Sequence, residues 1–322
     1  MEEIMKFEVK FIHKYLKMKS NMKNILTLVL FVFLVTSCNS ENKFDITNVD
    51  VNLSNKIERV EPPNWWIDMK TKDIQLLVYG KNISNYVPVI NSSNVKLIST
   101  ERVKNENYLF VNISIEDKAK PENIEINFLE NNIIVDKYEF SLLDRKENAS
   151  KVEGFNTSDV MYLITPDRFA NGDFSNDDVE YMYERPNRNN NRGIHGGDIQ
   201  GIINHLDYIK DLGFTTVWLN PVTENNMKKS SYHGYSTTDY YKVDPRFGTN
   251  ELFKELSYKS KEMGIKLVMD MIPNHCGSEH WFFKDPPMED WFNNQSGFKQ
   301  TSHRRQTVQD IYASEIDKRE HA

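Results

Sequence analysis

Between Leu267 and Cys276 the sequence LVMDMIPNHC passes from an apolar strand to a polar loop and sets Asp270, Asn274 and His275 within six positions. A carboxylate, an amide and an imidazole this close can ligate a metal, hydrogen-bond a sugar or brace a turn. A second stretch, SYHGYSTTDYY from Ser231 to Tyr241, sets Tyr232, Tyr235, Tyr240 and Tyr241 among His233 and Asp239. Sugars present apolar C–H faces rimmed by hydroxyls, so flat rings beside hydrogen-bonding groups suit a saccharide pocket. Gly234 would let the backbone come close to a ligand. A packed tyrosine corner suits the same residues. In a third stretch, Asp167 to Asp178, oxygen side chains recur at Asn171, Asp173, Asn176 and Asp177 around Gly172. A hard cation takes roughly six to eight oxygens from a turning backbone, which favours Ca²⁺ over Zn²⁺. A solvated acidic turn is the alternative. Cys276 has no base placed by spacing to activate it, and an apolar-flanked cysteine is usually just buried, which argues against a thiol mechanism.

These loops need elements to hold them. Val160–Ile164, Thr216–Leu219 and Lys266–Ile272 read as continuous apolar strands. Between the first two, Ile199 to Leu212 places Ile202, Leu206 and Ile209 on one helical face, with Gly213 as its stop. Between the second and third, Thr249 caps a helix carrying Leu252, Phe253, Leu256 and Met263, and Gly264 ends it. Alternating strands and helices with fully apolar strands imply a parallel sheet with covered faces. Working residues of such sheets lie at the carboxyl ends of the strands, where Asp167, Asn220 and Asp270 fall.

Upstream the period changes. Ile74–Tyr79, Val95–Ser99, Tyr108–Ile115, Asn123–Phe128 and Lys137–Leu142 alternate apolar and polar residues with Asn, Gly, Asp and Pro between them, the pattern of a small β-sandwich over 58–150. Trp65-Trp66 opens this domain and reads as core or domain interface rather than a sugar platform. Arg145 to Thr157 is a polar hinge.

The N-terminus carries Lys14, Lys17, Lys19 and Lys23, then the apolar run Ile25–Val35, too short to span a bilayer and suited to a signal-peptide core. The run ends Val-Thr-Ser-Cys, similar to the lipobox of bacterial lipoproteins. Residues 1–37 are therefore expected to be a lipoprotein-type signal peptide, Cys38 the lipidated residue and membrane anchor, and 38–57 a polar tether. An ordinary secretory signal is the alternative, and Met22 is a second plausible start. The localisation this implies is the bacterial cell envelope. Removing 1–37, with six Lys and three Glu, takes the net charge from −7 to −10, a poor match for nucleic acid. With only Cys38 and Cys276 present, no disulfide framework or cysteine metal site is expected.

Taken together, "DVMYLITPDRFANGD", "HGGDIQGIINHLDYIKDLGFTTVWLNPV", "YHGYSTTDYYKVDPRFGT" and "GIKLVMDMIPNHCG" closely resemble the α-amylase family of glycoside hydrolases. The preceding "VEPPNWWIDM" with its sandwich resembles the N-terminal domain of the neopullulanase, cyclomaltodextrinase and maltogenic amylase branch. This resemblance implies the first three βα units of a (β/α)₈ barrel over 158–277 and the start of an inserted small domain over 278–322. It also implies that His275, Asn274, Tyr235 and His233 line the sugar subsite, with Asp270 in support. Calcium would be held by Asn171, Asp173, Asn176, Asp177, the Gly196 carbonyl and Asp198. The partners implied are α-glucan oligosaccharides and, for the intact enzyme, a second copy in a homodimer.

The family's reaction is retaining hydrolysis by a carboxylate nucleophile in a Gly-x-Arg-x-Asp motif and a separate carboxylic acid, about 5–5.5 Å apart. The 322 residues contain no Arg-x-Asp, and a complete barrel takes about 250 residues. The expectation is a C-terminally truncated chain without nucleophile or general acid, itself inactive, from an intact protein that hydrolyses α-1,4-glucosidic bonds in maltooligosaccharides, cyclodextrins or pullulan. The alternatives are a lipid-anchored glucan-binding protein without catalysis and a non-functional gene remnant.

Overall fold

The computed structural model describes residues 49–145 and 154–293. The expected signal peptide, Cys38 and most of 278–322 lie outside the described residues. Among those described, no helix is long and apolar enough to cross a membrane.

The N-terminal unit is built from β1 (Ile57–Glu61), β2 (Asn64–Trp66), β3 (Asp73–Gly80), β4 (Val87–Ile90), β5 (Val95–Arg102), β6 (Tyr108–Ile115), β7 (Glu122–Glu130) and β8 (Ile133–Leu143). One sheet runs β1-β3-β6-β5 and the other β2-β8-β7-β4. The alternation read from sequence decides what faces inward. Leu76, Val78, Leu109, Val111 and Ile113 from the first sheet meet Ile124, Ile126, Phe128, Phe140 and Leu142 from the second in one buried core. Each such side chain taken out of water is worth about 1.5–3 kcal/mol. Trp65 packs against this core, whereas Trp66 remains 39% exposed.

The tether expected over 38–57 is not free at its end. β2 pairs with β8 only at Ser141–Leu143, which leaves the edge of β8 open further back. There Asn52 and Ser54 donate their N–H groups to the carbonyls of Ile134 and Val135 at 2.8 and 2.7 Å, and Asp136 accepts the N–H groups of Lys56 and Ile57. Polar composition concealed this pairing, because backbone groups make it.

β6 departs from simple alternation. Its first half, Tyr108-Leu109-Phe110-Val111, is buried throughout. Leu109 and Val111 face the core, while Tyr108 and Phe110, paired with Tyr79 and Leu77 of β3, face outward into a second apolar cluster that includes Trp281 and Phe282.

The second unit continues with β9 (Met161–Ile164), α1 (Pro166–Phe169), α2 (Ile199–Ile203), α3 (Leu206–Asp211), β10 (Thr216–Leu219), β11 (Thr223–Glu224), β12 (Asp239–Val243), α4 (Asn250–Glu262), β13 (Lys266–Met269) and α5 (Trp281–Lys284). β9, β10 and β13 form a parallel sheet in the order β13-β10-β9. Ile164, Leu219 and Met269 are mutually in register, so the three strands end level. The architecture is thus a β-sandwich followed by the first three βα units of an incomplete (β/α)₈ barrel.

The single helix expected over 199–212 is two. His205 Nδ1 lies 2.7 Å from the Gly201 carbonyl, and the His205 N–H turns instead to Ile202 O at 3.0 Å, which breaks the ladder. The apolar face survives the break, since Ile199, Ile202, Leu206 and Ile209 are all buried. Thr249 caps α4 as expected, its Oγ1 accepting Leu252 N–H at 3.1 Å, and Gly213 and Gly264 end their helices at φ 86° and 74°. These helices cover one face of the sheet, burying Ile164, Val217 and Leu219. The expectation of two covered faces is not met among the described residues: Leu163 and Trp218, on the other face, are 51% and 36% exposed.

Candidate functional site

Because the strands end level, Asn220 and Asp270 emerge side by side immediately after β10 and β13. Between β11 and β12 a 3₁₀ turn over Ser231–His233 leads into Gly234, whose φ of 80° and close approach to the Pro221 carbonyl admit no side chain: a Cβ there would lie 2.1 Å from that oxygen. This brings the Tyr235 arm onto the sheet end. Tyr235 donates its hydroxyl to Asp270 Oδ2 at 2.9 Å, and its N–H goes to His233 Nδ1 at 3.0 Å. His275 Nε2 meets the Tyr235 carbonyl at 3.0 Å, and Tyr240 donates its hydroxyl to the His275 carbonyl at 2.6 Å. Asn274 Nδ2 sits 3.4 Å from His275 Nδ1. Tyr235, His233, His275, Asn274 and Asp270 therefore converge from two loops into one cluster.

The hydrogen bonds set its protonation. Since Tyr235 N–H donates to His233 Nδ1, the His233 proton is on Nε2, and burial pushes the His233 pKa down, favouring the neutral ring. The Tyr235 carbonyl can only accept, so His275 carries its proton on Nε2. Burial and the Asp270 carboxylate push the Tyr235 hydroxyl pKa up, so it remains a donor. Tyr235 stays 37% exposed, and Asn274 and His275 are exposed too. What results is an open wall with one stacking ring and fixed donors. Burial also pushes the Cys276 thiol pKa up, which keeps it protonated and a poor nucleophile.

Beside it the loop after β9 turns about Asp167. This buried carboxylate accepts the N–H groups of His195 and Gly196 at 2.8 and 3.1 Å and pairs with Arg168, whose guanidinium lies 4.1 Å from the centroid of the Tyr232 ring. A cleft of about 220 Å³ opens here, lined by Asp167, Arg168, Asn171, Arg188 and His195.

The oxygen-rich loop after β9 turns several of its polar atoms inward. Asn171 Oδ1 and both polar atoms of the Asn176 amide are buried without a hydrogen-bond partner. Asn171 Nδ2 donates to Asp177 Oδ1 at 2.7 Å, and a Cβ on Gly196 would lie 2.4 Å from that same oxygen, so Asn171, Asp177 and Gly196 meet. Buried amide oxygens without donors are what a hard cation would satisfy. Asp198 differs: its carboxylate accepts N–H groups from Gly172, Asp173 and Gly201, capping α2 and closing the loop. Asp173 likewise accepts from Ser175. Asn171, Asp177 and Gly196 come together with the unpartnered Asn176 amide next in sequence, an oxygen-rich set of the kind Ca²⁺ takes. Asp198 and Asp173 already accept bonds within the loop, and the described residues hold no group of three or more His, Cys, Asp or Glu placed for a metal.

Several supporting residues escaped the sequence reading. Arg246, 2% exposed, makes a two-pronged bond with Asp244 at 2.9 and 2.8 Å and reaches the carbonyls of Glu184 and Asn225. Glu184 in turn accepts the N–H groups of Ser230 and Ser231 at 3.1 and 2.7 Å, fixing the turn that precedes His233. The i, i+2 spacing of Asp244 and Arg246 was the visible signal.

A family model described as the alpha amylase catalytic domain matches residues 163–315, and one described as the cyclomaltodextrinase N-terminal domain matches 59–146. The chain is 44% identical over 140 residues to a beta/alpha-amylase of Paenibacillus polymyxa, covering 42% of this chain and 11% of that protein. It is 42% identical over 147 residues to a cyclomaltodextrinase of Thermoanaerobacter pseudethanolicus, covering 42% and 24%. It is 35% identical over 141 residues to neopullulanase 2 of Thermoactinomyces vulgaris, covering 41% and 23%. The chain thus spans between 11% and 24% of the length of these relatives.

Proposed function

We propose, for a chain that belongs to the α-amylase family of glycoside hydrolases, that the Tyr235 cluster is one wall of the sugar subsite at which the intact protein hydrolyses α-1,4-glucosidic bonds with retention. Its substrates are maltooligosaccharides, cyclodextrins or pullulan. The observation that carries this reading is the Tyr235 ring, left exposed while its hydroxyl is fixed by Asp270. The ring stacks under the C–H face of a glucose unit. Neutral His233 offers Nε2–H to a sugar hydroxyl, and Asn274 and His275 border the same unit. Asp270 holds the ring in place and does not break the bond.

Retaining hydrolysis needs two carboxylates about 5–5.5 Å apart. With no Arg-x-Asp in the 322 residues, this reading assigns nucleophile and acid to residues outside this sequence, so these 322 residues bind glucan without turning it over. Asn171, Asn176, Asp177 and Gly196 would hold a Ca²⁺, whose charge ties the loop after β9 to the Gly196 turn. Cys38 carries the lipid that anchors the chain in the envelope, on the strength of the charged lead, the apolar run and the Val-Thr-Ser-Cys ending.

Titration calorimetry of the 322-residue chain with maltoheptaose tests the subsite. Binding should be seen, fall at least tenfold in Tyr235→Ala and be unchanged in Trp66→Ala. Loss in Trp66→Ala instead would move the site to the sandwich. Release of p-nitrophenol from a nitrophenyl maltoside by this chain would overturn the assignment of the catalysts.

A further inference from the structure

We propose that the N-terminal sandwich is a positioning domain for the sugar-facing arm, acting through Asp285 and Asp239 on Tyr240, and through Tyr240 on the backbone of His275. The inference rests on the reading above that His275 and Tyr235 border the sugar.

Asp285 is where the segment after β13 returns to the sandwich. Its carboxylate accepts from Tyr79 Oη at 3.1 Å, from Asn107 Nδ2 at 2.8 Å and from Asn105 Nδ2, and its carbonyl accepts from Tyr108 Oη. Donors from two strands and the turn between β5 and β6 thus meet on one residue. The Asp285 N–H closes onto the Trp281 carbonyl at 2.9 Å, ending α5. Trp281 stacks on Tyr108, with centroids 5.8 Å apart and planes 13° apart, and lies 4.6 Å from Tyr79. A four-residue helix has little stability alone, so this docking is what fixes α5.

His280 caps α5, its Nδ1 accepting the Phe282 N–H at 3.0 Å. It is 1% exposed, and its ring packs between Trp281 at 5.7 Å and Tyr240 at 5.5 Å. Tyr240 is held from its other side as well. The preceding residue, Asp239, is buried and bonded at 2.8 Å to Arg59 of β1, whose guanidinium also lies over Trp281. Both sandwich contacts therefore bracket Tyr240, and the Tyr240 hydroxyl holds the His275 carbonyl at 2.6 Å. His275 and Asn274 are exposed and lie in an irregular turn, so this bond and the Tyr235 contacts are what define their place. The path is a continuous run of packed rings and hydrogen bonds, the physical form such coupling takes.

Hydrogen–deuterium exchange of the 322-residue chain, read on peptides covering 272–278, tests this with no ligand present. Tyr240→Phe removes one hydroxyl and Asp285→Ala removes the sandwich contact; each should raise exchange there about tenfold while β9 and β10 keep their protection. Lys104→Ala, which severs an exposed sandwich contact to Glu289 that does not lead to Tyr240, should change nothing there. Maltoheptaose affinity should fall about fivefold in Tyr240→Phe at unchanged midpoint of unfolding. Wild-type exchange at 272–278 in Tyr240→Phe overturns the inference, as does a Lys104→Ala effect equal to that of Asp285→Ala. Should Asp285→Ala fail to fold, Tyr240→Phe decides alone. A wild-type chain that binds no maltoheptaose would sink the subsite reading, while the exchange result would still decide the positioning.

Discussion

Two aspartates flank the turn that follows β13, fifteen residues apart, and they are used in opposite ways. Asp285 gathers donors from Tyr79, Asn105 and Asn107 on its carboxylate and one from Tyr108 on its carbonyl, against stacked aromatics. Asp270 accepts one hydroxyl, from a tyrosine whose ring faces outward. A carboxylate that accepts three donors fixes two surfaces together and has little left for a ligand. One with a single partner orients a neighbour and keeps acceptor capacity. Seam and site are thus distinguished by hydrogen-bond saturation more than by residue type.

The largest effect should come from breaking the saturated side. Asp285→Ala leaves Tyr79, Asn105 and Asn107 without their shared acceptor in a partly buried seam. A buried donor left without its acceptor costs about 1–3 kcal/mol, and three donors lose theirs here. Urea unfolding should show a first transition shifted to lower denaturant, reporting loss of the seam before the sandwich core. Asp270→Ala should shift the same transition by under about 1 kcal/mol. Equal shifts would erase the distinction.

The seam should also answer to pH. Glu61 of β1 lies beside Arg59 and Asp239, and its pKa is pushed up to about 7, first by burial and then by Asp239, against the pull of Arg59. A carboxyl whose folded pKa exceeds its unfolded value near 4.5 binds its proton more tightly in the folded state. Its contribution is complete below pH 4.5 and lost as pH rises through 7. The gap of about 2.5 between the two values, at about 1.4 kcal/mol per pH unit, is about 3.5 kcal/mol, which solvent screening of this partly exposed group reduces to about 2–3 kcal/mol. His280 works the other way: burial pushes its pKa down to about 4, so its contribution is present above 6.5 and lost on acidification toward 4. The difference between wild type and Glu61→Gln isolates the carboxyl. Wild-type stability should fall relative to the variant between pH 5 and 8, and parallel curves would exclude Glu61 as the cause.

The same contrast explains what could be read in advance. Alternation located β3, β5, β6, β7 and β8, but β1, β2 and β4 escaped it, and all three are sheet edges. An edge strand packs against one neighbour and tolerates proline, as Pro88 in β4 and Pro62 just after β1 illustrate. Their sequences therefore carry a weak pattern. The site was legible in kind, since Tyr235, His233, Asn274 and His275 do meet at the sheet end. Which atoms meet was not, because the Tyr235 hydroxyl finds Asp270 across 35 residues through the bend at Gly234. The seam was missed although Tyr108-Leu109-Phe110-Val111 announced it: four apolar residues in succession have no reason to persist on a strand with one wet face. For Asp198, which the family resemblance put among the cation ligands, the fold shows a carboxylate that caps α2, and a carboxylate at an N-cap and one at a cation look alike in sequence.

The finest test lies in the single bond on the open side. Tyr235→Phe keeps the ring and removes its hydroxyl, so stability should fall by about 0.5–1 kcal/mol, the usual worth of one partly exposed hydrogen bond. Asp270→Ala should cost a similar amount, and the double variant little more than either, giving a coupling of about 0.5–1 kcal/mol in the cycle. Maltoheptaose affinity should drop only a few-fold in Tyr235→Phe, against the larger loss in Tyr235→Ala, because the stacking surface survives and only its anchoring is relaxed. Were Tyr235→Phe as damaging to binding as Tyr235→Ala, the hydroxyl itself, and through it Asp270, would be the contact that recognises sugar, and Asp270 would have to be counted among the groups that touch it.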